Sequence, residues 1–148
     1  MKLSTKVRYA IRAMLELALH YGEGPVSVKE ISKKQGISSR YLEHLIVSLQ
    51  TAGLVKTIRG KEGGCVLARH PSQIKIAEVV SALEGPLAVV ECVVDDKFCP
   101  REKFCVARDV WIKVREAILN VLNSITLQDM IEWQKKKLKT TQPYIYYI

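Results

Sequence analysis

Between residues 5 and 21, apolar side chains recur at Val7, Ala10, Ile11, Met14, Leu17, Ala18 and Tyr21, a spacing that collects them on one face of a helix. Gly22, Gly24 and Pro25 end it. Ser27 followed by Glu30 has the spacing of a capping box, in which hydroxyl and carboxylate satisfy unpaired N–H groups, so a short helix is expected to about Gln35. Gly36, Ile37 and Ser38 read as a tight turn. Ser38 or Ser39 then caps a third helix, which runs through Tyr41, Leu42, Leu45, Ile46 and Leu49 to Ala52 and is closed by Gly53. Two short helices joined by such a turn make a helix-turn-helix.

The period changes at Leu54. Residues 54–58 read as a strand, 59–64 as a hairpin loop and 65–68 as the returning strand, so this region is a wing. Gly60, Gly63 and Gly64 are expected to supply positive φ angles and to leave little side chain between the loop and what it touches. Residues 76–84 read as a helix stopped by Gly85 and Pro86. Residues 91–105 have no periodicity and are read as an ordered loop. From 106 to 124, Val110, Trp111, Val114, Ala117, Ile118, Val121 and Leu122 make a long amphipathic helix. Thr126 and Asp129 have capping-box spacing and open a last helix through Trp133 to about Lys139. The tail of Tyr144, Ile145, Tyr146, Tyr147 and Ile148 is apolar enough to be expected to pack on something. The fold class is mainly α with a small β-wing: a winged helix-turn-helix over residues 1–75 and a helical region with a cysteine loop over 76–148, in one compact unit.

Charge sharpens the picture because it is uneven. Residues 1–75 hold 13 Lys and Arg against 5 Asp and Glu, while residues 76–148 hold 10 of each, so the whole net charge of +8 sits in the first half. Basic excess concentrated on a helix-turn-helix and a glycine-rich wing points to double-stranded DNA. The N-terminal turns of a recognition helix meet base edges while flanking groups grip phosphates. Ser38, Ser39, Arg40, Tyr41, Glu43 and His44 are therefore the candidate base-reading residues, with Leu42, Leu45 and Leu49 facing inward. Arg40 suits guanine and Glu43 a cytosine amino group. Arg59, Gly60 and Lys61 form the wing contact, and Lys29, Lys33 and Lys34 suit phosphates. No nucleophile-base pair, nucleotide loop or substrate-pocket motif is visible, so no enzyme is expected. Neither an apolar run of about 20 residues nor a signal pattern at Met1 is present, so the expected location is the cytoplasm, with no membrane partner.

In that compartment thiols stay reduced, and four cysteines point to metal binding or redox sensing over a disulfide framework. Cys92, Cys99 and Cys105 share one loop. Three soft thiolates on one segment can converge on an iron-sulfur cluster, zinc or copper(I), although the spacing is not that of a zinc knuckle and zinc would want a fourth ligand. Cys65 is expected to be a small buried hydrophobe in a wing strand.

Together these residues resemble the family of winged-helix regulators that includes IscR, NsrR and CymR, and most of all its IscR-like and CymR-like members. The likeness is carried by the opening run MKLSTKVRYA, by Tyr41 to Glu43, by Gly53 to Val55, by Arg59 and Gly60 with Gly63 and Gly64, by Glu84 to Pro86 and by Ile125 to Leu127. It implies a homodimer paired through the 106–124 helix, a pseudo-palindromic operator, and an iron-sulfur cluster on Cys92, Cys99 and Cys105, 2Fe-2S in preference to 4Fe-4S. Cluster occupancy would then change DNA binding, most simply by a repressor, in response to iron-sulfur, oxidant or nitric oxide status. The chain departs from the IscR-like pattern at Arg108, where those members carry a ligand histidine; arginine cannot replace it. NsrR-like members carry an acidic residue where this chain has Arg8. The fourth ligand stays open among Asp109, Glu91, Asp95, Asp96, Glu102, a small molecule and a residue of the partner chain. The apolar tail resembles that of members which lack the cysteines and answer to a protein partner. A cluster-free regulator of cysteine or sulfur metabolism, controlled by a metabolic enzyme or by thiol oxidation, is the alternative.

Overall fold

The computed structural model describes residues 2–145, with side chains described as far as Thr140. Along them run α1 (Thr5–Leu19), α2 (Val28–Gln35), α3 (Ser39–Thr51), β1 (Val55–Ile58), β2 (Gly64–Leu67), α4 (Ile76–Glu84), α5 (Val106–Ser124) and α6 (Leu127–Ile145). The apolar side chains of the tail 144–148, which the sequence suggests should pack, lie outside the described residues. No described helix is long and apolar enough to cross a membrane.

Helix α1 starts where Ser4 Oγ accepts from the Val7 N–H at 3.4 Å, satisfying one of the free donors of a helix start. It stops at Leu19, before Tyr21, whose half-exposed ring packs edge-on against His70. Its face of Val7, Ala10, Ala13, Met14, Leu17 and Ala18 is buried. Around it pack α3, α4, α6 and β2, so α1 is the centre of the core.

The helix-turn-helix is built by two serine caps and one glycine. Ser27 Oγ accepts from Glu30 N–H at 3.1 Å and Ser38 Oγ from Tyr41 N–H at 3.2 Å. Gly36 between them has φ 64°, a left-handed conformation that closes α2 without a side-chain clash. The capping box expected at Ser27 is half formed. The Glu30 carboxylate turns to Lys34 Nζ, 3.5 Å away and one turn along, where opposite charges attract.

In the wing, β1 and β2 pair antiparallel with Val55 opposite Leu67 and Ile58 opposite Gly64. Val26 adds a rung: its N–H donates to Cys65 O at 2.9 Å and its carbonyl accepts from Cys65 N–H at 2.8 Å. Only one of the three wing glycines has the positive φ expected of all three, Gly60 at 118°. The other two are required by crowding instead. A Cβ on Gly63 would lie 2.1 Å from Ile58 O, and one on Gly64 would lie 2.4 Å from Val26 O.

The core continues past the wing. Ile74, Ile76, Val79, Val80, Leu127 and Ile131 are buried with the α1 and α3 residues. The chain is stitched at this point by Leu127 N–H to Ile74 O at 3.0 Å and Ile76 N–H to Ile125 O at 2.9 Å. The capping box expected at Thr126 forms fully: Asp129 N–H donates to Thr126 Oγ1 at 3.2 Å and Thr126 N–H to Asp129 Oδ2 at 2.9 Å. Arg69, just after the wing, meets the Glu78 carboxylate of α4 at 2.7 Å. Burial alone would raise the Glu78 carboxyl, but the Lys75 N–H and the Arg69 guanidinium outweigh it and hold it below the ordinary value. Helix α5 behaves differently from the rest, for none of its residues is buried.

Candidate nucleic-acid interface and thiol segment

Burial of Leu42, Leu45, Ile46 and Leu49 fixes the rotation of α3 about its own axis. Positions three and four apart on the other side then form one outward stripe of Arg40, Glu43, His44 and Val47, all exposed. Ser38 and Ser39 are exposed at its N-terminal end, with the Ser38 hydroxyl occupied as the helix cap. Tyr41 stands apart. It is half-buried and its ring meets Tyr9 of α1 edge-on at 5.9 Å between centroids, so it braces the helix. Val47, 61% exposed, is the residue that hydropathy reasoning passed over. The signal was present: Val47 is out of phase with Leu42, Leu45 and Leu49, so the period that buries them points it outward.

Arg59, Gly60 and Lys61 are exposed at the hairpin tip, where Gly63 N–H donates to Gly60 O at 3.1 Å and closes the loop. Lys29, Lys33 and Lys34 are exposed on α2. Lys34 Nζ sits 3.5 Å from Glu30 and 3.8 Å from Glu16, so part of its charge is neutralised within the protein.

The three loop cysteines lie on one segment between α4 and α5. Cys92 is in a 3-10 turn over Glu91–Val93, Cys99 follows in a run of turns, and Cys105 is the residue from which α5 starts. All three are free and half-buried. Cys65 is free and fully buried in the wing, and burial pushes its thiol up, which keeps it protonated and supports the reading as a packing residue. Arg108, which stands at the position where the IscR-like pattern places a histidine, has partners of another kind. Its Nε donates to Cys92 O at 3.1 Å and its Nη2 to Asp96 Oδ1 at 3.0 Å. One turn pair further on, Arg115 Nε donates to Leu87 O at 2.7 Å. The segment is thereby fastened to α5 at two points.

Of the acidic residues considered as a fourth ligand, Glu91, Asp95, Asp96 and Asp109 are exposed and Glu102 is half-buried. Asp96 is engaged by Arg108, and Asp95 Oδ1 accepts from Lys97 N–H at 3.0 Å. Among the described residues, no three of His, Cys, Asp or Glu are grouped closely enough to hold one metal ion. The donor set thus fits a thiophilic centre in chemistry, with three unbridged sulfurs on one segment, while the sulfurs are not gathered round a common point.

Comparison with known proteins bears on the whole of this arrangement. Residues 3–133 match the family described as Rrf2, iron-dependent transcriptional regulator. The chain is 40% identical over 148 residues, all of both chains, to the HTH-type transcriptional regulator CymR of Bacillus subtilis (strain 168). It is 42% identical over 131 residues to Protein rrf2 of Nitratidesulfovibrio vulgaris, covering 88% of this chain and 87% of that one. Among solved structures, T. potens IscR superposes with a TM-score of 0.77 at 46% identity, over 99% of this chain and 97% of the other. A winged helix-turn-helix with an exposed polar stripe on its third helix and a match along almost the full length lead to one conclusion: the chain belongs to the Rrf2 family and is a DNA-binding transcription regulator.

Proposed function

We propose that this regulator binds pseudo-palindromic operators as a homodimer paired through α5, and that Cys92, Cys99 and Cys105 hold an iron-sulfur cluster whose occupancy changes its affinity for DNA. Base reading falls to the stripe on α3. Arg40, Glu43 and His44 present hydrogen-bonding groups to base edges, and Val47 presents methyls to a thymine methyl. Arg59 and Lys61 reach from the wing, and Lys29 and Lys33 approach phosphates. The observation that carries the sensing half is the placement of three unbridged, half-buried thiols on a segment fastened to α5 by Arg108 and Arg115. The cluster, when bound, supplies a charge and a redox- and ligand-sensitive centre. The chain's own part is to keep Cys92 and Cys105 attached to α5, so that a change at the thiols is a change at the helix that pairs the two copies. The fourth ligand is left to Glu91, Asp95, Asp96, Glu102, Asp109, a small molecule or the second copy, with one oxygen of Asp96 paired to Arg108.

Anaerobic purification or reconstitution, followed by an absorption spectrum and iron and sulfide counts, tests the sensing half. Visible absorbance of a 2Fe-2S centre with matching iron and sulfide is expected, absent when all three cysteines are changed to serine in a protein that stays folded and dimeric. Stoichiometric zinc without iron overturns it. Base reading is tested with duplexes in which single thymines are replaced by deoxyuridine. At one position per half-site the lost methyl should weaken wild-type binding by about 1 kcal/mol and leave Val47→Ala unaffected.

A second reading is favoured by the separation of the three sulfurs and by the similarity to a solved structure of CymR described as the global cysteine regulator of B. subtilis. In it the thiols act as oxidation switches, or a metabolic enzyme binds the regulator, and the regulated genes serve cysteine or sulfur metabolism. DNA affinity that ignores iron yet responds to mild oxidation or to a co-purifying enzyme distinguishes it.

A further inference from the structure

Glu16 lies in α1 at 7% exposure, the one polar or charged residue buried among the described residues. A carboxylate withdrawn from water is costly unless partners satisfy it. Its partners come from the end of α2: Gln35 Nε2 donates to Glu16 Oε1 at 2.7 Å, and Lys34 Nζ stands 3.8 Å from Oε2. Gln35 carries the connection outward. Its side-chain oxygen accepts from Arg12 Nε at 2.9 Å, and its backbone carbonyl accepts from Arg12 Nη2. The Arg12 guanidinium lies 5.5 Å from the centre of the Tyr9 ring, which in turn meets Tyr41. Gln35 is the last residue before the Gly36 turn and Tyr41 is in the first turn of α3. Both sides of the helix-turn-helix turn are therefore tied to α1 by one chain of side chains.

Apolar packing beneath the turn holds the helices together but is non-directional, whereas hydrogen bonds to charged groups are short and directional. The two tasks are separable. From Ser39 to Val47 is roughly 12 Å along α3, so a tilt of about 5° displaces the far side chain by about 1 Å, which is enough to break a hydrogen bond to a base.

We propose that Arg12 and Gln35, seated on the buried Glu16, are positioning residues for base reading: they set the angle at which α3 leaves α1, and so where Arg40, Glu43, His44 and Val47 meet the base edges. This rests on the operator-binding reading above, and deepens it by separating residues that aim the helix from residues that touch DNA.

The test compares binding of the full-length protein to a duplex that the wild type selects from a random pool with binding to a shuffled duplex of the same composition, each across a salt series. For Arg12→Met, the preference for the selected duplex should fall roughly tenfold, with shuffled-duplex affinity, salt slope and Tm unchanged; Gln35→Met should lose the same preference and also lower Tm, because it leaves the buried Glu16 Oε1 without its donor. Arg12→Lys keeps the charge but not the two-pronged geometry, so it should fail to rescue. A uniform loss on both duplexes with the salt slope reduced by about one marks Arg12 as a phosphate contact and overturns the proposal. Lower Tm with full preference makes the network a scaffold and overturns it too. Because Arg12 is exposed, its variants answer the question even where Gln35→Met does not fold. If the wild type selects no duplex at all, the operator reading itself fails and this inference falls with it, an outcome distinct from the other two.

Discussion

Helices α1 and α5 carry the same kind of pattern, apolar residues at three- and four-residue intervals, and meet water in opposite ways. Val7, Ala10, Ala13, Met14, Leu17 and Ala18 of α1 are covered by the chain's own α3, α4, α6 and β2. In α5, Val106, Val110, Trp111 and Val121 remain exposed, with Phe98 and Phe104 exposed beside them on the thiol segment. An apolar stripe says that something must cover it but not whose atoms do so. For α1 the cover is intramolecular; for α5 the proposed cover is a second copy.

The largest expected effect breaks that contrast on the α5 side. Placing charges on the exposed face with Val110→Glu and Val121→Glu should give a monomer by sedimentation that keeps its helical circular dichroism, with operator affinity reduced at least about 100-fold through loss of the paired half-site contact. A variant that remains dimeric would show that α5 is not the pairing surface. Next comes Met14→Ala, which removes buried volume from α1 and should cost about 3 kcal/mol in denaturant unfolding, by the same amount in the wild-type background and in the α5 double variant. A loss that depends on the α5 background would mean that the second copy reaches the α1 core.

The smallest effect concerns a pair internal to one chain. Because the Glu78 carboxyl is held below its ordinary value, its contribution is present above the unfolded-state pKa and is lost as pH falls through the lower folded-state one. Arg69→Ala should therefore lower stability by less than about 1 kcal/mol at pH 7, with the difference shrinking as pH falls into the acid range. Thermal melts across pH follow it, and a difference that grows in acid would contradict the assigned sign.

How much of this was legible in the sequence depended on the range of the interaction. Helix α4 runs over the expected 76–84 and α5 over the expected 106–124, because periodicity and stop signals such as Gly85 and Pro86 are local. The capping box at Thr126 was legible for the same reason, while the one at Ser27 lost its carboxylate to a lysine that also answers to Glu16. For the glycines at 63 and 64 the expected positive φ is absent, while the expected lack of room for a side chain has a definite source in the approach of Ile58 O and Val26 O, the second far away in sequence. Around the cysteines, donor types could be read and their geometry could not. The path of a segment without a period is set by partners such as Arg108, whose bond to Cys92 O spans 16 residues. Nor did the pattern identify Arg12, Gln35 and Glu16 as a unit, since hydrogen-bonded chains leave no periodic trace.

The two arginines that fasten the thiol segment have a consequence for severing it. Lys97, Arg101 and Lys103 are exposed between the fastened stretch at Leu87 to Asp96 and the start of α5, so trypsin has three cutting points within a segment whose N-terminal side is held by guanidinium bonds and whose C-terminal side runs into a helix. A cut there would divide the chain into two polypeptides without freeing either, because α6 still packs on α1 and the 74–76 stretch still pairs with 125–127. Such a nicked protein would run as one species in native gels and as two after denaturation, a split regulator whose two pieces could be exchanged with those of another variant.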